Sequence, residues 1–123
     1  MAARQMQSTA PSGEVPEVFD RAHLSHYTME NADLEREILD LFLTQLPLTI
    51  AMIEAAQSLA DWKLHTHTLK GSAAAIGARR LQSIAVDLEE LGFDGDLQIR
   101  ALRVSVLHAA AAEFRGAVRH IVT

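Results

Sequence analysis

Apolar side chains along this chain recur at intervals of three and four residues, and no stretch alternates apolar with polar as a half-buried strand does. The clearest run is Leu39, Phe42, Leu43, Leu46, Ile50 and Ile53. It predicts a long helix from about Ala32 to Ser58, kinked at Pro47, where the missing N–H and the ring disturb the helical ladder. A short helix over Val18–Tyr27 is expected before it. Asp61 is the expected N-cap of a third helix from Trp62 to about Ile76, with Gly77 marking its end or a close contact. A fourth helix, about Ala78 to Leu91, would carry Leu81, Ile84, Ala85, Leu88 and Leu91 on one face. Gly92-Phe93-Asp94-Gly95-Asp96 reads as a turn, with Asp96 capping a last helix over about Leu97–Ile121. The inward positions expected there are Ile99, Leu102, Val106, Ala110, Phe114, Ala117 and Ile121. Amphipathic helices joined by short turns predict an all-α domain, an antiparallel up-down four-helix bundle with the short first helix capping one end.

The chain has 123 residues, the size of one domain. Residues 1–16 are polar, with Ser, Thr, Pro and Gly, and read as a flexible N-terminal tail, leaving 17–123 for the bundle. A net charge of −5 argues against a nucleic-acid surface, which needs a basic face. There is no cysteine, so neither a disulfide nor a thiolate metal site is available. No apolar run approaches the ~20 residues of a membrane span, and the start lacks the apolar core of a signal peptide. A cytoplasmic, monomeric protein without membrane contact is the expectation, and the initial Met and tail suggest a free-standing one.

The chemistry concentrates in His67-Thr68-Leu69-Lys70-Gly71-Ser72. Residues three and four apart share a helical face, so His67, Lys70 and Gly71 would lie on one patch. At 100° per residue, Lys63, Leu64, Lys70, Gly71 and Ala74 fall within about 60° of His67, while Trp62, Leu69, Ala73 and Ile76 lie opposite and face the core. His67 is therefore expected in solvent. An unprotonated imidazole, with its ordinary pKa of about 6.5, is a competent nucleophile at neutral pH. A nearby Lys70 would disfavour its protonation and attract a phosphoryl group placed on it. A glycine within a helix costs roughly 1 kcal/mol relative to alanine. Gly71 and Ala74 would clear the approach for a second protein's backbone.

These residues, with Gly77, resemble the signature of histidine-containing phosphotransfer (HPt) domains. Phe42-Leu43, Asp61-Trp62 and Leu88-Glu89 fit that family's pattern, and the similarity spans roughly Phe19 to Phe114. One local departure is His65-Thr66, where the family usually has a small residue before the histidine. The resemblance implies a stoichiometric phosphoryl carrier in two-component signalling. Nε2 of His67 would take phosphate from the aspartyl phosphate of one receiver domain and yield it to another. Partners would be the receiver of a hybrid histidine kinase or of a response regulator, with Mg²⁺ on the receiver and no cofactor on this chain. Neither GxxxxGK[ST] nor GxGxxG occurs, so no ATP-dependent kinase activity is expected. The alternatives are a receiver-binding module without phosphotransfer, or a module of a larger kinase.

Lys63, Leu64, Gly71, Ala74 and Met52 are the expected docking residues. Met52 belongs to a second stripe with Leu41 and Leu48 that lies away from the core run. Ser72 falls about 140° from His67 on the wheel and is assigned to packing or a bond back to the backbone, not to phosphate. His65 lies about 160° from His67, and the remaining histidines lack a third ligand nearby, so no metal site is expected.

Overall fold

A computed structural model of the protein describes residues 15–93 and 96–123. The expected tail therefore lies outside the described residues except at its end, as does the middle of the Gly92–Asp96 turn. Five helices follow in order: α1 (Arg21–Tyr27), α2 (Ala32–Ala55), α3 (Leu59–Ile76), α4 (Arg79–Leu91) and α5 (Leu97–Val122). No strand occurs among the described residues. Helices α2 and α3, α3 and α4, α4 and α5, and α5 and α2 pack together, closing a ring around the core of a helical bundle. The short α1 touches α2 and α3.

Caps decide where the helices begin. Asp20 starts α1 later than expected, because its carboxylate accepts the His23 N–H at 3.1 Å, leaving Val18 and Phe19 outside the helix. Both still pack against the core, and Phe19 meets Phe114 edge-on at 5.7 Å between ring centroids. Helix α2 ends at Ala55, short of Ser58, and runs unbroken through Pro47. Ser58 is extended and its hydroxyl accepts the Asp61 N–H at 3.1 Å. Ser58, not Asp61, is thus the N-cap of α3, and Asp61 sits at the third helical position, where a carboxylate favours the positive end of the helix. Asp96 caps α5 as expected, accepting from Gln98 at 2.7 Å.

The core is built from Leu39, Phe42, Leu46 and Ile53 of α2, Trp62, Leu69 and Ala73 of α3, Leu81, Ala85 and Leu88 of α4, and a face of α5. That α5 face differs from the expected one. Val104, Leu107, Ala110, Ala111, Phe114 and Val118 are buried, whereas Ile99, Leu102, Val106 and Ala117 are exposed and Ile121 is half-buried. Helix α5 carries apolar residues nearly all round, so its own pattern does not choose between the faces. Ala110 and Phe114 are common to both faces, and Phe114 packs edge-on between Phe19 and Phe42, at 5.7 and 5.4 Å.

Helix α2 is long and apolar enough, by length and composition, to cross a membrane, which amends the expectation that no such stretch exists. Here seven of its residues are buried within the bundle.

Gly77 both ends α3 and receives a close neighbour. Its φ of +84° is the left-handed conformation that side chains resist. Its carbonyl accepts the Asp20 N–H at 2.7 Å, and a Cβ there would stand 2.5 Å from the Asp20 carbonyl oxygen. Arg79 to Asp20 at 3.3 Å and His23 to the Ala75 carbonyl at 3.1 Å complete the attachment of the N-terminal segment to the α3–α4 corner. A second strut joins α1 to α2. Glu35, a buried carboxylate, accepts from Arg21 at 2.9 Å and from Ser25 at 3.0 Å.

Candidate functional site

Helix α3 turns one face inward and one out, as its wheel requires. Trp62, Leu69, Ala73 and Ile76 are buried, together with Thr66. Thr66 is accommodated because its hydroxyl donates to the Trp62 carbonyl at 2.8 Å, leaving its methyl for the core. The departure before the histidine therefore points away from the exposed face. His65 is half-buried. The Trp62 indole N–H donates to the Leu88 carbonyl at 2.7 Å, a buried link that sets α3 against α4 immediately before Glu89.

His67 stands on the outer face with 69% of its side chain exposed. Its Nδ1 lies 3.2 Å from one oxygen of Glu89, and the Lys70 ammonium lies 2.7 Å from the other. The carboxylate of α4 thus collects both candidate side chains of α3. The Lys70 ammonium beside Glu89, and secondarily the bond from His67, hold its carboxyl below the usual carboxylate range, so it is an acceptor at neutral pH. An acceptor-only partner at Nδ1 places the ring proton there and leaves the Nε2 lone pair facing water. The arrangement presents an oriented nucleophile, with a cation held on the same side.

Glu89 is the one side chain of this candidate site that the sequence did not single out, although Leu88-Glu89 belongs to the pattern quoted for the resemblance. Position 89 borders the α4 core stripe, as Ile84 and Leu91 do, and the wheel of α4 alone does not say which neighbour it faces. The lysine was expected to act on His67 directly. The structure instead pairs its charge with the carboxylate that His67 shares.

The remaining expected residues fall as follows. Lys63, Leu64, Gly71 and Met52 are exposed, Leu64 and Met52 at 59% and 51%, and Ala74 is half-buried. A Cβ added at Gly71 would meet nothing within 4 Å. Leu41 and Leu48 are exposed too. Leu41 and Gln45 of α2 face Ser72 and Ala75 of α3 across an apolar groove of about 260 Å³. The Ser72 hydroxyl donates to the Leu69 carbonyl at 3.3 Å. Among the described residues, no three His, Asp or Glu side chains converge as metal ligands do.

Comparison with protein families matches residues 37–117 to the Hpt domain. The chain belongs to this family. The matched span runs from the second turn of α2 into the last turns of α5 and contains His67, Lys70 and Glu89. Comparisons with curated proteins and with solved structures return no match. Membership makes this an HPt domain protein of two-component phosphorelays, a family of phosphocarriers that interact with receiver domains and have no kinase activity of their own.

Proposed function

We propose that His67 is the phospho-acceptor, taking a phosphoryl group from the aspartyl phosphate of one receiver domain and passing it to the aspartate of another. The observation that carries this reading is the exposed His67 ring with Nδ1 on Glu89 and Nε2 unencumbered. In the forward step the Nε2 lone pair attacks phosphorus in line, the N–P bond forms, and the P–O bond to the aspartate breaks and returns a carboxylate. The proton stays on Nδ1, hydrogen-bonded to the Glu89 carboxylate, whose negative charge offsets the positive charge developing on the ring. The reverse step transfers the group to the second aspartate. Positioning and charge neutralisation do most of the work in such a transfer. Mg²⁺ would sit on the receiver. Lys70, 2.7 Å from Glu89, has only to swing from that carboxylate to meet the incoming phosphoryl oxygens.

Lys63, Leu64, Gly71, Ala74 and Met52 form the docking surface in this reading. The bare surface at Gly71 and the exposed apolar side chains of Leu64 and Met52 support it. The closed ring of contacts through α2, α3, α4 and α5 supports an antiparallel up-down four-helix arrangement, capped at one end by α1.

The test mixes the protein with a phosphorylated receiver and Mg²⁺. Acid-labile, base-stable phosphate on the wild-type chain and none on His67→Gln is the expected result. Label that persists in the variant would place the acceptor elsewhere. No label from any receiver would leave a binding module without transfer.

A further inference from the structure

Opposite its buried residues, α5 carries an outer face with few charges. Leu102, Ala109 and Gly116, spaced by sevens, fall within about 40° of one another on the wheel, on the side away from the buried Leu107 and Val118. Ser105, Val106, Ala112 and Glu113 flank this line, and all seven are exposed. The first half of the face is bulky, with Leu102 at 64% and Val106 at 46% exposure. The second half is small. A glycine within a helix is unfavourable relative to alanine, yet a Cβ at Gly116 would meet nothing within 4 Å, so no contact inside the domain requires it. Charge divides along the same line. Arg80 of α4 bonds Glu113 of α5, so the two helices run antiparallel and the end of α4 lies beside the start of α5. In that half Asp87, Glu90 and Asp96 are exposed against Arg103. In the other half Arg115 and Arg119 are exposed, and Glu113 is held by Arg80. Helix α4 begins Arg79-Arg80 and ends Glu89-Glu90-Leu91, the reverse of what its dipole favours, so its own stability does not account for the pattern.

A bulky, acidic half and a small, basic half on one face fit each other when a second copy lies across it antiparallel. We infer that the outer face of α5 pairs with that of a second copy about a two-fold axis at Ala109. This sets Leu102 against Gly116, Val106 against Ala112 and Ser105 against Glu113 of the second copy. From Ile99 to Arg119 the face is about 30 Å long. With α4 at its flank, about 8–10 Å away, it is at most about 20 Å wide. That gives about 600 Å² per copy and about 1,200 Å² in all, the lower end of stable interfaces, so the dimer is weak. Helices α3 and α5 lie diagonally in the ring and do not pack together, so both His67 rings stay open and the inference does not depend on phosphotransfer.

Sedimentation equilibrium of the full chain from about 10 µM to about 1 mM, the range of a weak interface, should show a monomer–dimer equilibrium that weakens with salt. The chain has no cysteine, so introduced cysteines report the geometry by oxidative cross-linking. Ala109→Cys should cross-link to its own copy. Leu102→Cys and Gly116→Cys should cross-link to each other in a mixture and hardly to themselves. Gly116→Leu should raise Tm through helix propensity and still weaken the dimer by about tenfold or more. Leu48→Glu, at an exposed apolar position of α2, should dimerise as wild type. A chain that stays monomeric up to about 1 mM would overturn the inference and leave the face to a different protein. Self-cross-linking of Leu102→Cys as fast as that of Ala109→Cys, full dimerisation of Gly116→Leu, or loss of the dimer in Leu48→Glu would overturn it too.

Discussion

Replacing Gly71 by alanine adds one methyl group to the outer face of α3, one residue beyond Lys70 and four beyond His67. Within the domain that methyl has nothing to strike, since no atom lies within 4 Å of the added Cβ. Glycine inside a helix is less favourable than alanine by about 1 kcal/mol, largely through backbone entropy in the unfolded chain. The variant should therefore be more stable by about that amount, which for a domain of this size raises Tm by roughly 4 °C. If the bare surface is where a receiver's backbone approaches, the same methyl overpacks that contact at a cost of about 1–3 kcal/mol. Transfer from a phosphorylated receiver should then slow by about tenfold, the factor that 1.4 kcal/mol gives. Calorimetric melting and single-turnover phosphotransfer measure the two effects separately. A variant that melts lower than wild type would refute the steric reading of Gly71. One that gains stability and transfers at full rate would refute its place in the docking surface. Gly77→Ala is the contrasting case. There the Cβ meets the Asp20 carbonyl oxygen at 2.5 Å in a left-handed backbone, and a loss of about 2 kcal/mol or more is expected.

Glu89→Gln removes the charge that Lys70 and His67 share; transfer onto His67 should slow, with far-ultraviolet circular dichroism unchanged, and an unaltered rate would remove Glu89 from the mechanism. Leu64→Glu places a charge at an exposed apolar position beside His67 and should weaken binding to a cognate receiver while Tm stays within a degree or two of wild type; undiminished affinity in a titration would exclude Leu64 from the interface. Acid should destabilise the domain through Glu35, whose carboxyl is held below its ordinary range first by the bond from Arg21. A lowered native pKa means that this contribution is complete above the unfolded value of about 4.3 and is lost as pH falls through the native one. Denaturant titrations at pH 7 and pH 3 should show a smaller pH dependence in Glu35→Gln than in wild type; equal dependence would assign the acid sensitivity to other carboxylates.

The outward position of His67 and the inward positions of Trp62, Leu69, Ala73 and Ile76 were legible in the sequence, because each concerns one helix and its own 100° step. So were the existence of the helices and Asp96 as a cap. The register of helix starts was less legible. Ser58 and Asp61 are both good caps, and the choice went to the residue held in extended backbone where α2 turns into α3. What only the tertiary structure decided are relations between helices. Helix α5 offers apolar residues on more than one face, so hydrophobicity alone leaves its rotation open, and packing against α2 and α4 buries Val104, Leu107, Ala111 and Val118. Gly77 is crowded by Asp20, a residue 57 positions earlier in the chain. Glu89 reaches His67 because α4 packs on α3 with one rotation and not another, and a single helix's periodicity contains no information about the azimuth of its neighbour. The exposed imidazole was thus a local property of the chain, while the carboxylate bonded to it is a property of the packed bundle.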